Sequence, residues 1–120
     1  MPKTGVQDLP RDRFLPLKPP VFMILIVLAE QDAHGYELAR QIRERSEGKI
    51  RLETGPLYRH LKRLLADGLI VETHARPTTE RDDERRRYYR VSRLGRSVLA
   101  AETQRLVRLI DRVQQLEGQS

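Results

Sequence analysis

Residues 54–68 read as a single helix with two chemically different faces, and this segment constrains the fold more than any other. Thr54 or Gly55 is expected to cap its start, Pro56 suits its first turn, and Gly68 suits the left-handed position beyond its end. At about 100° per residue, one stripe is apolar and consists of Leu57, Leu61, Leu64 and Leu65. The opposite side carries cations beside small residues, namely Gly55, Arg59, Lys62, Arg63 and Ala66.

Such a helix packs its leucines on a core and leaves its cations for a partner. Long basic side chains beside small residues suit a helix that lies in the major groove of DNA. Runs of charge also occur on faces that are only solvated, so the segment alone leaves an ordinary amphipathic helix open.

The composition narrows the class of partner and the class of chemistry. The chain has 120 residues, which suits one domain, and 23 Lys and Arg against 17 Asp and Glu give a net charge of +6. This excess favours an anionic partner, with nucleic acid as the leading candidate. Cysteine is absent, which excludes disulfides, thiol nucleophiles and cysteine-based metal sites.

The N-terminal residues and the longest apolar run predict a cytoplasmic protein without a membrane partner. Residues 1–8 lack the charged-then-apolar order of a signal peptide. The longest apolar run, residues 21–29, is about half of the roughly 18 residues that a membrane-spanning helix needs.

The first half of the chain predicts an arm and two helices. Four prolines, at 10, 16, 19 and 20, mark residues 1–18 as an irregular arm. Residues 21–29 are apolar all round, which fits a buried strand or a buried helix, and we predict a helix because Pro20 suits its first turn. Such a helix needs cover on several sides, which we expect from a second subunit. Residues 34–45 form the second predicted helix, with Gly35, Leu38, Ala39 and Ile42 on one face.

Short strands are predicted around the central helix. Residues 49–52 alternate in character and suit a short strand, and residues 69–73 and 87–91 suit a hairpin. The polar, charged residues at about 74–87 would form an exposed wing. Six arginines and no acid fall between Arg85 and Arg96, which predicts a basic side to the wing. A merely soluble loop that discourages strand pairing remains an alternative.

The last predicted helix runs from about Arg93 to Glu117, with Ser92 as its N-cap. Leu99, Leu106 and Val113 are seven residues apart, Leu109 and Leu116 repeat in the interleaved position, and Ile110 widens the stripe. Glu102 breaks the pattern. Docking on a partner subunit is the leading interpretation, and folding back on its own domain is the alternative.

These elements predict a mainly α fold with a small β-hairpin. Its parts are the arm (1–18), a winged helix-turn-helix domain (19–92) and a long C-terminal dimerisation helix (93–117). The segments HGYEL at 34–38, GPLY at 55–58, LKRL at 61–64, DGLI at 67–70 and RRYYRVS at 86–92 with Gly95 and Arg96 occur in an order that resembles the PadR-like transcriptional regulators. The resemblance covers residues 20–117 and favours the smaller subfamily with a single C-terminal helix.

The resemblance implies a dimeric repressor, and some family members lose DNA affinity when a phenolic, drug-like or other effector binds. Two features depart from the family. Pro56 stands where members often have threonine, with Thr54 as a substitute hydroxyl. The chain also has no tryptophan, which multidrug-sensing relatives use to hold flat ligands between subunits.

The expected function is therefore sequence-specific binding of double-stranded DNA by a homodimer at an inverted repeat. The expected DNA-binding residues are Thr54, Gly55, Pro56, Tyr58, Arg59, Lys62, Arg63, Arg85, Arg86 and Arg87. The expected dimer interface consists of Phe22, Ile26, Leu99, Leu106, Leu109, Ile110, Val113 and Leu116. An alternative function is a winged-helix module whose basic face docks an acidic protein.

An apolar or aromatic effector would fit a cleft between subunits. Its walls would be Phe14, Phe22, Met23 and Ile26 with Leu106 and Ile110 of the partner subunit, although core packing explains the same residues. An enzyme is not expected, because His34, His60 and His74 fall on three elements and no nucleophile or phosphate-loop motif occurs. No cofactor and no metal site are expected.

Overall fold

The computed structural model describes residues 10–73 and 87–119, and within them it has a mainly helical fold with a small sheet. A 3-10 helix at Pro10–Phe14 precedes helix α1 (Pro19–Glu30), strand β1 (Ala33–His34), helices α2 (Gly35–Arg45) and α3 (Thr54–Ala66), strands β2 (Ile70–Thr73) and β3 (Tyr88–Val91), and helix α4 (Arg93–Gly118). The predicted fold class is confirmed. In these described ranges no helix combines the length and the hydropathy that a membrane crossing requires.

Helix α1 forms the centre of the core. Two prolines occupy its first turn, where their missing N–H groups cost nothing, and this confirms the choice of helix over strand. Ile24, Leu25, Val27 and Leu28 are each at most 1% exposed, because α2, β3 and α4 pack around them. The chain itself therefore covers most of this helix. Phe22 and Ile26 stay half-buried, so the cover expected from a second subunit concerns these two side chains.

The sheet has the strand order β1-β3-β2 and is antiparallel throughout. The predicted hairpin is confirmed: Ile70 pairs with Val91, and Thr73 pairs with Tyr88. On the other side of β3, Ala33 pairs with Tyr89, so β1 occupies that edge.

The strand predicted at residues 49–52 is wrong, since that segment makes a turn and a loop. The Ser46 hydroxyl accepts a hydrogen bond from the Ile50 N–H at 2.9 Å, which removes that donor from any ladder. Gly48 has a φ of +80°, which turns the chain back toward α3. Ile50 and Leu52 pack half-buried against the core instead.

A tight junction joins the end of α3 to the start of α4. Gly68 has a φ of +78°, as predicted for the position beyond the helix. The Ser92 hydroxyl donates to the Gly68 carbonyl at 2.7 Å and accepts from the Gly95 N–H at 3.0 Å, so the predicted N-cap is confirmed. A Cβ added at Gly95 would lie 2.7 Å from Cγ2 of Val91. The junction thus sets the direction in which α4 leaves α3.

The arm is more ordered than its prolines predict. Its 3-10 helix packs on α4, and Phe14, Leu15 and Leu17 pack against the core. The Leu17 N–H donates to Oε2 of Glu102 at 2.8 Å. The arm from Pro10 onward is therefore a docked part of the domain.

Glu102, which breaks the heptad pattern, is a buried ion-pair partner and only 1% exposed. Nε of Arg105 lies 2.6 Å from its Oε1. Hydrogen bonds from the Arg105 guanidinium and the Leu17 N–H hold the pKa of Glu102 below its ordinary value, although burial acts in the opposite direction.

Candidate nucleic-acid interface

Pro56 determines where α3 begins. The N-cap is Glu53, with no hydrogen bond from its side chain, and Thr54 is the first helical residue. The expected cap at Thr54 or Gly55 is therefore wrong. Because proline has no N–H, the first backbone bond of the helix is donated by Leu57, at 3.0 Å to the Glu53 carbonyl. Pro56 lies in the first turn, as predicted.

The two faces of α3 differ as the sequence predicts. Leu57, Leu61 and Leu64 are at most 3% exposed, and Leu65 packs half-buried beside them. The opposite face is exposed along its whole length, at Gly55, Arg59, Lys62, Arg63 and Ala66.

The cations on this face are largely uncommitted. Arg59 and Lys62 form no ion pair with any carboxylate in the described part of the chain. Arg63 pairs with Asp67 one turn away, with 3.1 Å between Nε and Oδ2, but its side chain is 79% exposed. An exposed pair of this kind contributes little to stability, roughly 0.3–0.5 kcal/mol, so Arg63 can exchange Asp67 for another anion.

Tyr58 borders this face on the side of α2. Its ring lies over Gly35, where an added Cβ would be only 2.9 Å from the Tyr58 ring carbon Cζ. The glycine therefore allows α3 to approach the start of α2. Tyr58 remains 44% exposed, so the same side chain packs against the fold and reaches its surface.

The start of α2 contains a cluster of aromatic rings that the sequence did not predict. Nδ1 of His34 accepts from the Glu37 N–H at 3.2 Å and so caps α2. The His34 ring meets Tyr88 edge-on, with 5.3 Å between centroids, and stacks beside Tyr36, which is 76% exposed. The available signal was a polar residue three positions before a glutamate at a helix start, a capping pattern.

The other border of α3 faces the arm. A cleft of about 330 Å³ lies between them, with Arg13 and Lys18 on the arm side and His60 and Arg63 on the helix side. Burial lowers the pKa of His60, and the positive charges of Lys18 and Arg59 lower it further. The cleft is therefore an electropositive place in which His60 favours its neutral form.

The wing residues are only partly described. Arg85 and Arg86 lie outside the described residues, so their predicted role stays a prediction. Arg87 is exposed at the base of the wing, with Nη1 3.4 Å from Oε2 of Glu72. Arg90, from the same arginine-rich run, makes a two-pronged bond to Asp32, with 2.8 Å between Nη2 and Oδ2. That arginine contributes to the fold.

The expected dimer residues of α4 fall into two groups, whereas Phe22 and Ile26 lie half-buried on α1. Leu99 packs against the core of its own chain, and Leu106 is half-buried. Farther along, the side chains protrude from the domain, with Leu109, Ile110, Val113 and Leu116 each 52–55% exposed. From Val107 to Gln119 every residue of the helix and its cap is exposed.

Comparison with known proteins identifies the family of this chain. The sequence profile of the Transcriptional regulator PadR-like family matches residues 24–101, from α1 through the docked half of α4. The chain belongs to the PadR-like family. Its members are transcription regulators that bind DNA, not enzymes. Among the described residues, no group of three metal-binding side chains could hold an ion.

Solved structures of transcriptional regulators share the fold. A PadR-family regulator from Clostridium difficile is 27% identical, with a TM-score of 0.65 over 82% of this chain and 97% of that one. A transcriptional regulator from Clostridium thermocellum is 23% identical, with a TM-score of 0.64 over 80% and 87% of the two chains. A Lysinibacillus sphaericus protein is 28% identical over 78 residues, which are 65% of this chain and 69% of the relative.

Proposed function

We propose that this PadR-like protein is a homodimeric repressor that binds an inverted repeat in double-stranded DNA through the exposed face of α3. The observation that carries the proposal is that Arg59 and Lys62 on this face have no carboxylate partner among the described residues. The small residues Gly55 and Ala66 lie beside them on the same face. Uncommitted cations attract phosphate, and small residues let the helix backbone approach base edges.

Individual residues would have distinct roles at this surface. Arg59, Lys62 and Arg63 would contact base edges or phosphates, whereas Tyr58 and Thr54 would donate hydrogen bonds to phosphates. Gly55 and Pro56 would keep the start of the helix slim where it enters the groove. The wing arginines, Arg85, Arg86 and Arg87, would contact the flanking backbone.

A dimer would double these contacts. The protruding half of α4 exposes an apolar groove bordered by Leu106, Leu109, Ile110 and Val113, and Leu116 continues the stripe. Burying a half-exposed leucine or isoleucine contributes on the order of 1 kcal/mol. The five side chains of the stripe on two chains thus contribute roughly 10 kcal/mol, against an association cost of about 4–15 kcal/mol. The α4 stripe alone is thus a marginal interface, so we include the half-buried Phe22 and Ile26 of α1 in it.

The operator follows from two-fold symmetry. Two copies of α3 entering successive major grooves on one face of the duplex require half-sites centred roughly 34–36 Å apart. Occupying a promoter in this way would block transcription, and the proposed place of action is the cytoplasm, where a regulator of this type meets its promoter.

Release by a small apolar or aromatic effector is part of the proposal. Of the four side chains expected to line an effector cleft, Phe14 and Met23 pack against the core of their own chain. Phe22 and Ile26 are half-buried, and in the proposed dimer they would hold a ligand against Leu106 and Ile110 of the partner subunit.

Selection of DNA fragments by the purified protein, followed by binding titrations at several salt concentrations, tests the function. We expect an inverted repeat to be enriched. Replacing Arg59 or Lys62 with alanine should weaken binding by about 1–3 kcal/mol if the residue contacts a base, or flatten the salt dependence by about one unit if it contacts phosphate.

Arg108→Ala is the matched control, since it removes one exposed cation from α4. Its affinity and salt dependence should equal those of the parent protein. If Arg59→Ala, Lys62→Ala and Arg108→Ala all bound the selected duplex like the parent, α3 would not be the DNA-binding surface.

A further inference from the structure

We propose that the docked arm is a second contact with the DNA backbone, in which Arg13 and Lys18 bind phosphates beside α3 and Glu102 holds the arm in place. The inference rests on the proposed function, since it assumes that α3 enters a groove. It adds a DNA-binding element that lies outside both the helix-turn-helix and the wing.

The position of the arm supplies the first argument. Arg13 and Lys18 line the same cleft as His60 and Arg63 of α3, and both arm cations are exposed. A helix with its side chains is about 10–12 Å wide, which nearly fills a major groove of about 12 Å. The phosphates that border the groove therefore run along the flanks of the helix. The arm lies beside the Arg63 flank.

The charge of the cleft supplies the second argument. Its lining has three permanent cations, Arg13, Lys18 and Arg63, and one carboxylate, Asp67, which already pairs with Arg63. In the part of the chain described, Arg13 and Lys18 have no carboxylate partner, and the Arg13 guanidinium rests 4.8 Å from the centroid of the Phe14 ring. Burial is the main cause of the lowered pKa of His60, and the positive charges of Lys18 and Arg59 lower it further. A phosphate is the partner that this surface lacks.

The attachment of the arm supplies the third argument. Glu102 is buried in α4 and accepts the Leu17 N–H, the residue next to Lys18. A buried carboxylate is costly unless it is fully paired, and here its partners are the arm backbone and Arg105. Docking in advance reduces the entropy lost when the cations meet DNA. Glu102 is thus a positioning residue for the contact.

Three single substitutions test the proposal on the full-length protein with the duplex selected above and with an unrelated duplex. Arg13→Ala and Lys18→Ala should each reduce affinity for both duplexes, by about tenfold near 0.1 M salt, and each should flatten the log–log salt slope by about 0.9. Loss on both duplexes is expected because phosphates carry no sequence information. Arg108→Ala should change neither quantity.

Glu102→Gln tests the positioning role, because glutamine keeps the size of the side chain and loses its charge. We expect weaker DNA binding and a flatter salt slope, with helix content and oligomeric state unchanged. When Glu102→Gln is combined with Arg13→Ala and Lys18→Ala, the further loss should be small, since both changes act through the arm. Full additivity would show that Glu102 does not act through the arm cations.

Lys62→Ala, measured in parallel, separates the two proposals. If Lys62→Ala weakens binding while Arg13→Ala and Lys18→Ala behave like Arg108→Ala, the arm contact is wrong and the α3 surface stands. If Lys62→Ala also behaves like Arg108→Ala, the failure lies in the α3 surface itself. A rise in the His60 pKa on binding of the duplex, measured by NMR, would support phosphate close to the cleft without any substitution, and an unchanged His60 pKa would contradict it.

Discussion

In the described part of the chain, the outer face of α3 and the protruding half of α4 both stay exposed after folding, and their chemistry is opposite. The outer face of α3 is cationic and interrupted by small residues, whereas the protruding half of α4 carries an apolar stripe from Leu109 to Leu116. Water solvates the first surface well and the second poorly. The cationic face of α3 can therefore stay exposed to water without a solvation penalty until an anion binds. The apolar stripe of α4 favours association with another apolar surface.

The comparison shows that charge density alone does not identify a binding surface. Arg40, Arg45, Arg90 and Arg105 carry the same charge as Arg59, yet each is paired with a carboxylate of the same chain. Arg59 and Lys62 differ by having no such partner in the described ranges. The distinction depends on tertiary structure, because Arg90 meets Asp32 across 58 residues.

The largest expected effect comes from placing a charge on the apolar surface. Ile110→Asp should convert the proposed dimer to a 14.0 kDa monomer, because the aspartate would be desolvated in the interface. Loss of the second half-site contact should weaken binding to an inverted repeat by at least about 100-fold. Sedimentation equilibrium and DNA titration measure the two effects.

Gln115→Asp is the control for this prediction, since Gln115 is exposed on the same part of α4 but does not border the apolar groove. It should remain dimeric. If Ile110→Asp were dimeric as well, the apolar stripe of α4 would not be the dimer interface. Only the α3 face would then remain as a binding surface in this comparison.

A smaller effect is expected at the junction that connects the two helices. Gly95→Ala would place a methyl group 3.1 Å from the carbonyl carbon of Leu69 and closer still to Val91, so the free energy of unfolding should fall by about 1–3 kcal/mol. Gly55→Ala is the matched change, because among the described residues only Arg59, at 3.7 Å, lies near the added methyl group. Chemical denaturation should show Gly55→Ala to be at least as stable as the parent.

The buried carboxylate in the docked half of α4 predicts a pH dependence. The pKa of Glu102 is lower in the folded chain than in the unfolded one, so its contribution is complete above the unfolded pKa and disappears as pH falls through the folded pKa. Glu102→Gln should therefore cost about 1.5–3 kcal/mol near pH 7, and progressively less in acid. Urea titrations of both proteins from neutral to acidic pH measure this. A constant difference across that range would contradict it.

The smallest expected effect on stability is at Arg63. Because its pair with Asp67 is exposed, Arg63→Ala should change the free energy of unfolding by less than about 0.5 kcal/mol, while DNA binding weakens measurably. Parallel denaturation and DNA titrations test this separation. A stability loss as large as that of Gly95→Ala would make Arg63 a structural residue.

Much of the fold was predictable from local signals. The leucine stripe of α3, Gly68 after its end and the Ser92 cap are determined by neighbours in sequence, and the structure confirms them. Failures occurred where a distant partner decides the outcome. The first strand is Ala33–His34 instead of residues 49–52, because β3 offers its edge to β1. The arm is docked because Glu102 accepts a hydrogen bond from the Leu17 N–H. These two residues are 85 positions apart in the sequence, so local signals could not predict the contact.

The candidate site shows the same division. The exposed face of α3 follows from helical periodicity, so its residues could be named from the sequence. Arg90 has a carboxylate partner and Arg59 has none among the described residues, and this difference depends on side chains that folding brings together. The approach of Lys18 to His60 depends on folding in the same way. Neither feature could therefore be predicted from the sequence. Pro56 has no N–H to donate to the carbonyl of Leu52, so the helix cannot have an N-cap before Glu53. The first backbone bond is the one from Leu57 to Glu53, and local chemistry could have predicted this.

Protection of single thiols by DNA tests the central claim most directly. The chain has no cysteine, so Ala66→Cys and Gln115→Cys each introduce one exposed thiol, the first on the α3 face and the second on α4. The rate of maleimide modification is measured with and without saturating duplex. We predict that duplex slows modification of Ala66→Cys at least tenfold and leaves Gln115→Cys unchanged. Equal rates for Ala66→Cys with and without bound duplex would contradict the account.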